Sequence, residues 1–148
     1  MAKKTGVSMN WGGLDTALGK AAKALHGRRK ALLAEVGEAM VSSTMQRFIE
    51  GVGPDGTPWT PSQRALAQNG KTLVDKAHLQ NSISAAVTSD AVFWGSNLPY
   101  AQIHQKGGKA GRGKKVTLPA RPYLGLNNDD REEIAAIVSD FAKDAFKG

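Results

Sequence analysis

The stretch Ile83-Ser-Ala-Ala-Val-Thr-Ser-Asp-Ala-Val-Phe-Trp-Gly95 decides the fold. Ile83, Ala85 and Val87 alternate with Ser84, Ala86 and Thr88, and beyond Ser89-Asp90 the residues Val92 and Trp94 alternate about Phe93. A period of two belongs to a strand with one buried face, and a polar pair between two such runs marks a hairpin. A two-residue turn at Ser89-Asp90 sets Val87 opposite Val92 and Ala85 opposite Trp94 on one face.

Helices are expected on both sides of this hairpin in the sequence. Toward the C-terminus, Ile134, Ile137, Val138, Phe141 and Ala145 recur at helical spacing. Asp129 or Asp130 is the expected N-cap, with Glu132 and Glu133 at the positive end of the dipole and Lys143 and Lys147 at the negative end. Toward the N-terminus, Asp15 to about Gly51 reads as two helices that meet near His26-Gly27. Gly51 and Pro54 supply the stop. In the second helix Leu32, Leu33, Val36 and Met40 cluster on one side, and Val41, Met45, Phe48 and Ile49 centre about 150° further round at 100° per residue. A lone surface helix needs one apolar face. The second face therefore calls for a cover, either a neighbouring subunit or loops of the same chain.

The remaining segments read as turns and short elements. Pro54-Asp55-Gly56 is a turn, and Trp59 in the same Pro-rich loop is a large apolar plug that ties it to the core. Short helices are expected at Ser62 to Gln68, at Lys76 to Ser82 behind Asp75, and at Tyr100 to Gln105. Residues 106–115 hold four glycines and five cations, the composition of a mobile loop, and Val116 to Leu118 reads as a third strand. The expected fold is α+β: a long N-terminal helical segment, a small antiparallel β-sheet and a C-terminal helix packed on the sheet. Its organisation is a basic N-terminal segment with a short helix over 1–27 and a single α+β domain over 28–148 that carries the basic loop 106–115.

Composition limits the chemistry. The 148 residues include 41% hydrophobic and 22% charged residues and no cysteine, which excludes a disulfide framework, a thiolate metal site and a cysteine nucleophile. No apolar run behind Lys3-Lys4 resembles a signal peptide or a membrane span. The net charge of +7 divides unevenly: +6 over 1–30, −2 over 31–105, +6 over 106–121 and −3 over 122–148. Two basic segments thus flank an acidic body. They suit a polyanionic or acidic partner, or simply a solvated loop and terminus.

Catalytic patterns are weak. Ala65 to Thr72 fits a relaxed phosphate-loop spacing, but no apolar strand delivers it and no helix follows. His26, His78 and His104 are too widely spaced for a metal motif, and Ser96 lacks the second Gly of a nucleophile elbow. Neither a metal nor a cofactor is expected, nor an enzyme. The basic loop has no interleaved aromatic residues for base stacking, so any DNA contact is expected to be non-specific. Arg121, between Pro119-Ala120 and Pro122, is held on a stiff backbone and is expected to be structural, with its guanidinium against a carboxylate or carbonyls.

Several strings in order carry a resemblance: Phe48-Ile-Glu-Gly51, Pro54-Asp-Gly-Thr-Pro-Trp59, Leu79-Gln-Asn-Ser-Ile83, Gly95-Ser-Asn97, Tyr100-Ala-Gln-Ile-His104-Gln-Lys-Gly-Gly108 and Pro119-Ala-Arg-Pro-Tyr-Leu-Gly125. Over about residues 30 to 140 the chain is similar to the virion morphogenesis proteins of Mu-like tailed phages, a family that includes tail-completion proteins. The resemblance implies a structural protein of the neck or tail end, assembled in the host cytoplasm and then part of the virion. It implies a homo-oligomeric ring, often of six subunits, whose partners are the tail tube or tail-end proteins and the head connector, with no catalytic residues. On that basis Lys106, Lys109, Arg112, Lys114 and Lys115 are candidates to face a partner or passing DNA, and Val41, Met45, Phe48 and Ile49 are candidates for the subunit interface. The alternative is a small basic nucleic-acid-binding protein.

Overall fold

In the computed structural model, which describes residues 5–12, 25–73 and 78–147, the central strand of the main sheet is the second half of the hairpin. The elements in chain order are β1 (Thr5–Asn10), α1 (Arg29–Glu50), α2 (Gln63–Gln68), α3 (His78–Asn81), β2 (Ser84–Val87), β3 (Ala91–Ser96), α4 (Ala101–Lys106), β4 (Gly108–Ala110), β5 (Val116–Leu118) and α5 (Asn128–Lys147). Strand β3 pairs antiparallel with β2 in the expected register, Ala85 opposite Trp94 and Val87 opposite Val92. Thr88 N–H closes the turn on the Ala91 carbonyl at 2.8 Å.

The other neighbour of β3 is β1, again antiparallel, with Val7 opposite Trp94 and Met9 opposite Val92. The third strand of the sheet is therefore Thr5–Asn10, within the segment read as a basic N-terminal extension. Val116–Leu118 pairs instead with β4 in a separate two-stranded ribbon. The alternation of Val7 and Met9 with Gly6, Ser8 and Asn10 is the missed signal. Gly6 faces Gly95 in the ladder, and the two strands meet closely: a Cβ on Gly95 would lie 2.0 Å from the Thr5 carbonyl oxygen. The first predicted helix, from Asp15, lies outside the described residues; Leu25, at its expected end, is buried.

Helix α1 covers one face of the sheet. Leu32, Leu33, Val36 and Met40 are buried there with Val92 and Trp94. Gly37 lets the helix come close, since a Cβ at that position would lie 2.9 Å from both Ala85 Cβ and Val92 Cγ2. The helix ends where Gly51 adopts φ 73° and donates its N–H to the Arg47 carbonyl at 2.7 Å, a left-handed cap open to glycine. Near its start, Arg29 forms an ion pair with Asp90 of the hairpin turn at 3.3 Å.

Helix α5, expected across the sheet, has α1 as its main neighbour. Ile137, Val138 and Phe141 are buried, and the Arg28 guanidinium lies 4.7 Å above the Phe141 ring. Its N-cap is neither Asp129 nor Asp130. Asn127 Oδ1 accepts from Asp130 N–H at 2.7 Å, and Asp130 Oδ2 accepts from Asn127 N–H at 3.2 Å, a reciprocal capping arrangement. Asp130 is drawn inward because its carboxylate also takes Arg47 Nη2 and the Ser43 hydroxyl. Arg47 and Asp130 are each about 95% buried, and Arg47 Nη1 further donates to the carbonyls of Tyr123 at 2.9 Å and Gly125 at 3.2 Å. The helix periodicity passed over Arg47, because a cation inside an apolar stripe reads as its edge.

Two substitutions test these constraints. Removing Arg47 leaves Asp130 charged and buried without its partner, so Arg47→Ala should cost about 3–5 kcal/mol in urea unfolding at neutral pH, and Arg47→Met combined with Asp130→Asn should lose less. Gly95→Ala should cost about 1–3 kcal/mol by forcing β1 from β3. Hydrogen exchange of the Val7 and Met9 amides should then become fast while that of α1 stays protected.

Candidate functional site

Of the five cations of residues 106–115, expected on a mobile loop, Lys106 ends α4 and the other four lie on a paired arm. Strands β4 and β5 pair with Lys109 opposite Thr117 and Ala110 opposite Val116, joined by a tight turn at Arg112–Lys114. The reason is local. Val116-Thr117 is β-branched and extended, and glycines at 107, 111 and 113 adopt positive φ where the chain must bend. Gly107 sits at the root, where a Cβ would lie 2.7 Å from the Ala120 nitrogen. Lys106, Lys109, Arg112, Lys114 and Lys115 are all exposed, and among the described residues none forms a salt bridge. Val116, 53% exposed, sits among them. Cations this close act as one field on a partner within a Debye length of about 8 Å.

The arm's base is held from α4. Gln105 Oε1 accepts from the N–H groups of Tyr123 and Leu124, each at 3.0 Å, and its Nε2 donates to the Leu124 carbonyl at 2.9 Å. The Tyr123 hydroxyl donates to the Ala101 carbonyl at 2.8 Å, and burial pushes its pKa up. Trp59 is 7% exposed, donates Nε1–H to the Pro122 carbonyl at 2.8 Å and sets its ring edge-on to Phe48 at 5.6 Å. The Pro54 loop and residues 119–125 are thereby joined through one indole.

The second face of α1 divides. Phe48 is wholly buried in its own chain, between Trp59 and Tyr123, and offers nothing to a neighbouring subunit. It points inward because the Trp59 loop folds back over that end of the helix. Val41 and Met45 are half-buried, and Ile49 is 53% exposed. Leu66 on α2 is 71% exposed. The apolar surface that this face of α1 leaves among the described residues is thus Met45 and Ile49, with the exposed part of Val41.

Beside the arm lies a cleft of about 490 Å³ between α2, α3 and α4. Leu73, Leu79, Leu118 and the Tyr100 ring provide apolar lining; Arg121, Arg64, His78 and His104 provide the charge and the titratable groups. Arg121 is 5% exposed. Its Nε donates to the Thr60 carbonyl at 2.7 Å, its backbone N–H to the His104 carbonyl at 2.8 Å, and no carboxylate among the described residues pairs with it. His104 Nδ1 is buried without a hydrogen-bond partner, and its ring stands edge-on to Tyr100 at 6.0 Å. Burial first, and the Arg121 charge second, hold the His104 pKa below the ordinary 6.5. Neither the orphaned nitrogen nor the cleft was legible from spacing.

The other sequence candidates settle into structural roles. Ala65 to Thr72 is the end of α2 followed by a turn: Asn69 adopts φ 51°, and Gly70 N–H is spent on the Ala65 carbonyl at 2.9 Å, so these amides form no phosphate cradle. Ser96 is buried at the end of β3, where its hydroxyl accepts from Leu98 N–H at 3.1 Å and pairs with the Ser82 hydroxyl at 2.7 Å. Among the described residues, no group of three or more His, Asp or Glu side chains is placed to hold a metal ion, and no helix is long and apolar enough to cross a membrane.

Comparison with known proteins gives the kinship. Residues 9–142 match the phage virion morphogenesis family. The chain is 37% identical over 113 residues to the Mu-like prophage FluMu G protein 2 of Haemophilus influenzae, covering 76% of this chain and 78% of that protein. It is 31% identical over 122 residues to tail completion protein S of Escherichia phage P2, covering 74% and 81%, and 32% identical over 117 residues to the putative capsid assembly protein G of Escherichia phage Mu, covering 72% and 75%. No solved structure matches. A family match that takes in the end of β1, the main helix, the arm and most of α5 spans most of the chain, and the chain belongs to the phage virion morphogenesis family.

Proposed function

We propose that this chain is a structural, non-enzymatic component of a phage virion that works at the neck or tail end, in tail completion and head–tail joining, as a ring of identical subunits. The observation that carries the reading is the family match together with an exposed cationic arm built on a stiff base. A relative named for tail completion supports the tail end as the place of action. The arm is a docking element: its cations meet acidic surfaces of neighbouring virion proteins or the phosphates of passing DNA. Charges of this kind set register and speed of encounter more than raw affinity. Met45, Ile49 and Val41 supply the apolar contact between subunits.

Two measurements test this. The variant Lys109→Ser, Arg112→Ser, Lys114→Ser and Lys115→Ser alters exposed side chains only, so its unfolding free energy should stay within about 0.5 kcal/mol per site of the parent. Its ability to complement a phage lacking the gene should fall at least about tenfold, the factor that 1.4 kcal/mol of lost docking represents. An unchanged titre overturns the role of the arm. Mass photometry of the purified protein with tail tubes should show rings that Met45→Glu with Ile49→Glu abolishes; a monomer under both conditions would remove the ring from the reading.

A further inference from the structure

We infer that the cleft between α2, α3 and α4 is a receptor for a carboxylate of a partner protein, taken from an acidic segment that places a bulky apolar side chain next to the acid. This surface is distinct from the arm, and the inference does not depend on the arm's role.

The argument starts from Arg121. The residue is 5% exposed, and a cation so placed is costly unless an anion and good hydrogen bonds accompany it. Within the described residues Arg121 has one carbonyl on Nε and no carboxylate. Its planar fork matches a carboxylate, which can take two parallel N–H groups. His104 lines the same cleft, and its Nδ1 is buried without a hydrogen-bond partner. One carboxylate in the cleft acts on both: it is a counter-charge for Arg121 and favours the protonated form of the His104 ring.

The walls decide the rest of the ligand. Leu73, Leu79, Leu118 and the Tyr100 ring, 41% exposed at the rim, suit an aliphatic or aromatic side chain. A wall of three leucines with a single aromatic ring packs an aliphatic side chain better than it stacks bases, which favours a protein segment. Binding is also linked to protons. In the empty cleft burial and the Arg121 charge hold the His104 pKa down, and a bound carboxylate opposes this by setting a negative charge beside the ring. Among the described residues, the other titratable groups that line the cleft with His104 are Tyr100 just before α4, Arg64 on α2, His78 on α3 and Arg121. Affinity should therefore rise as pH falls from 7.5 toward 5.5.

The test uses the full chain and a fluorescein-labelled hexapeptide of alternating Leu and Glu with a free C-terminal carboxylate. A Leu–Gln hexapeptide amide and a 12-nucleotide single strand serve as comparison probes, all read by anisotropy. The Leu–Glu peptide should bind, more tightly at pH 5.5 than at 7.5, and the other two should not. Tyr100→Glu, at an exposed rim position, should weaken binding at least tenfold. His104→Gln should flatten the pH dependence and His78→Gln should keep it, with the His104 imidazole resonance titrating at higher pH in the complex. The four-fold arm variant should bind as the parent does. Equal binding of the amide peptide, preference for the single strand, or no binding of the acidic peptide overturns the proposal. So does binding seen only in Asp75→Asn, which would mean that the chain's own acid fills the cleft.

Discussion

Arg47 and Asp130 meet in the interior, and the placement of residues 123–130 and of α5 against α1 depends on that meeting. Taking both charges out of water costs several kcal/mol for each ion, which their mutual attraction repays only when the remaining donors and acceptors are also satisfied. Here they are. Arg47 serves two carbonyls besides the carboxylate, and Asp130 takes a serine hydroxyl and a backbone amide besides the guanidinium. Two pieces of chain distant in sequence, α1 and the run from Tyr123 into the first turn of α5, are tied at one point. An apolar contact in this position would hold them together as well, but it would tolerate sliding, whereas directed bonds to named atoms do not.

That fixed point explains why the surfaces beyond it are well placed. The segment leaving the latch carries Tyr123, whose hydroxyl reaches back to α4, and Pro122, whose carbonyl takes the Trp59 indole. Gln105 closes the remaining gap by bonding the backbone of Tyr123 and Leu124. The basic arm grows from this frame on one side and the Arg121 cleft opens on another. An assembly protein works by presenting charge and shape at set positions, and a stiff base keeps the ordering cost of docking low.

The parts legible in the sequence are those whose signals are local. Alternation from Ile83 to Trp94 gave the hairpin and its register, because a two-residue turn leaves one pairing that buries Val92 and Trp94 together. Helical spacing located α1 and α5, and Gly51 marked where α1 stops. The pairing of residues 108–110 with Val116–Leu118 was not legible, because glycine and lysine content describes what a chain tolerates, whereas pairing depends on where the chain turns back. Strand β1 had a visible alternation, yet its partner lies more than eighty residues away, and no turn chemistry points to it.

By itself, then, the sequence determined an α+β domain with a hairpin at its centre, a basic segment before residue 121 and the absence of any cysteine chemistry. Those features follow from side-chain period, from charge counts and from which residue types are present. Tertiary structure alone decided that Phe48 turns inward, that Asp130 leaves the helix cap to Asn127 in order to meet Arg47, and that Arg121 and His104 share a cleft without a described counter-charge. Each depends on two surfaces distant in sequence arriving at the same place, and the free energy of burying a charge or a ring is set by what arrives opposite it.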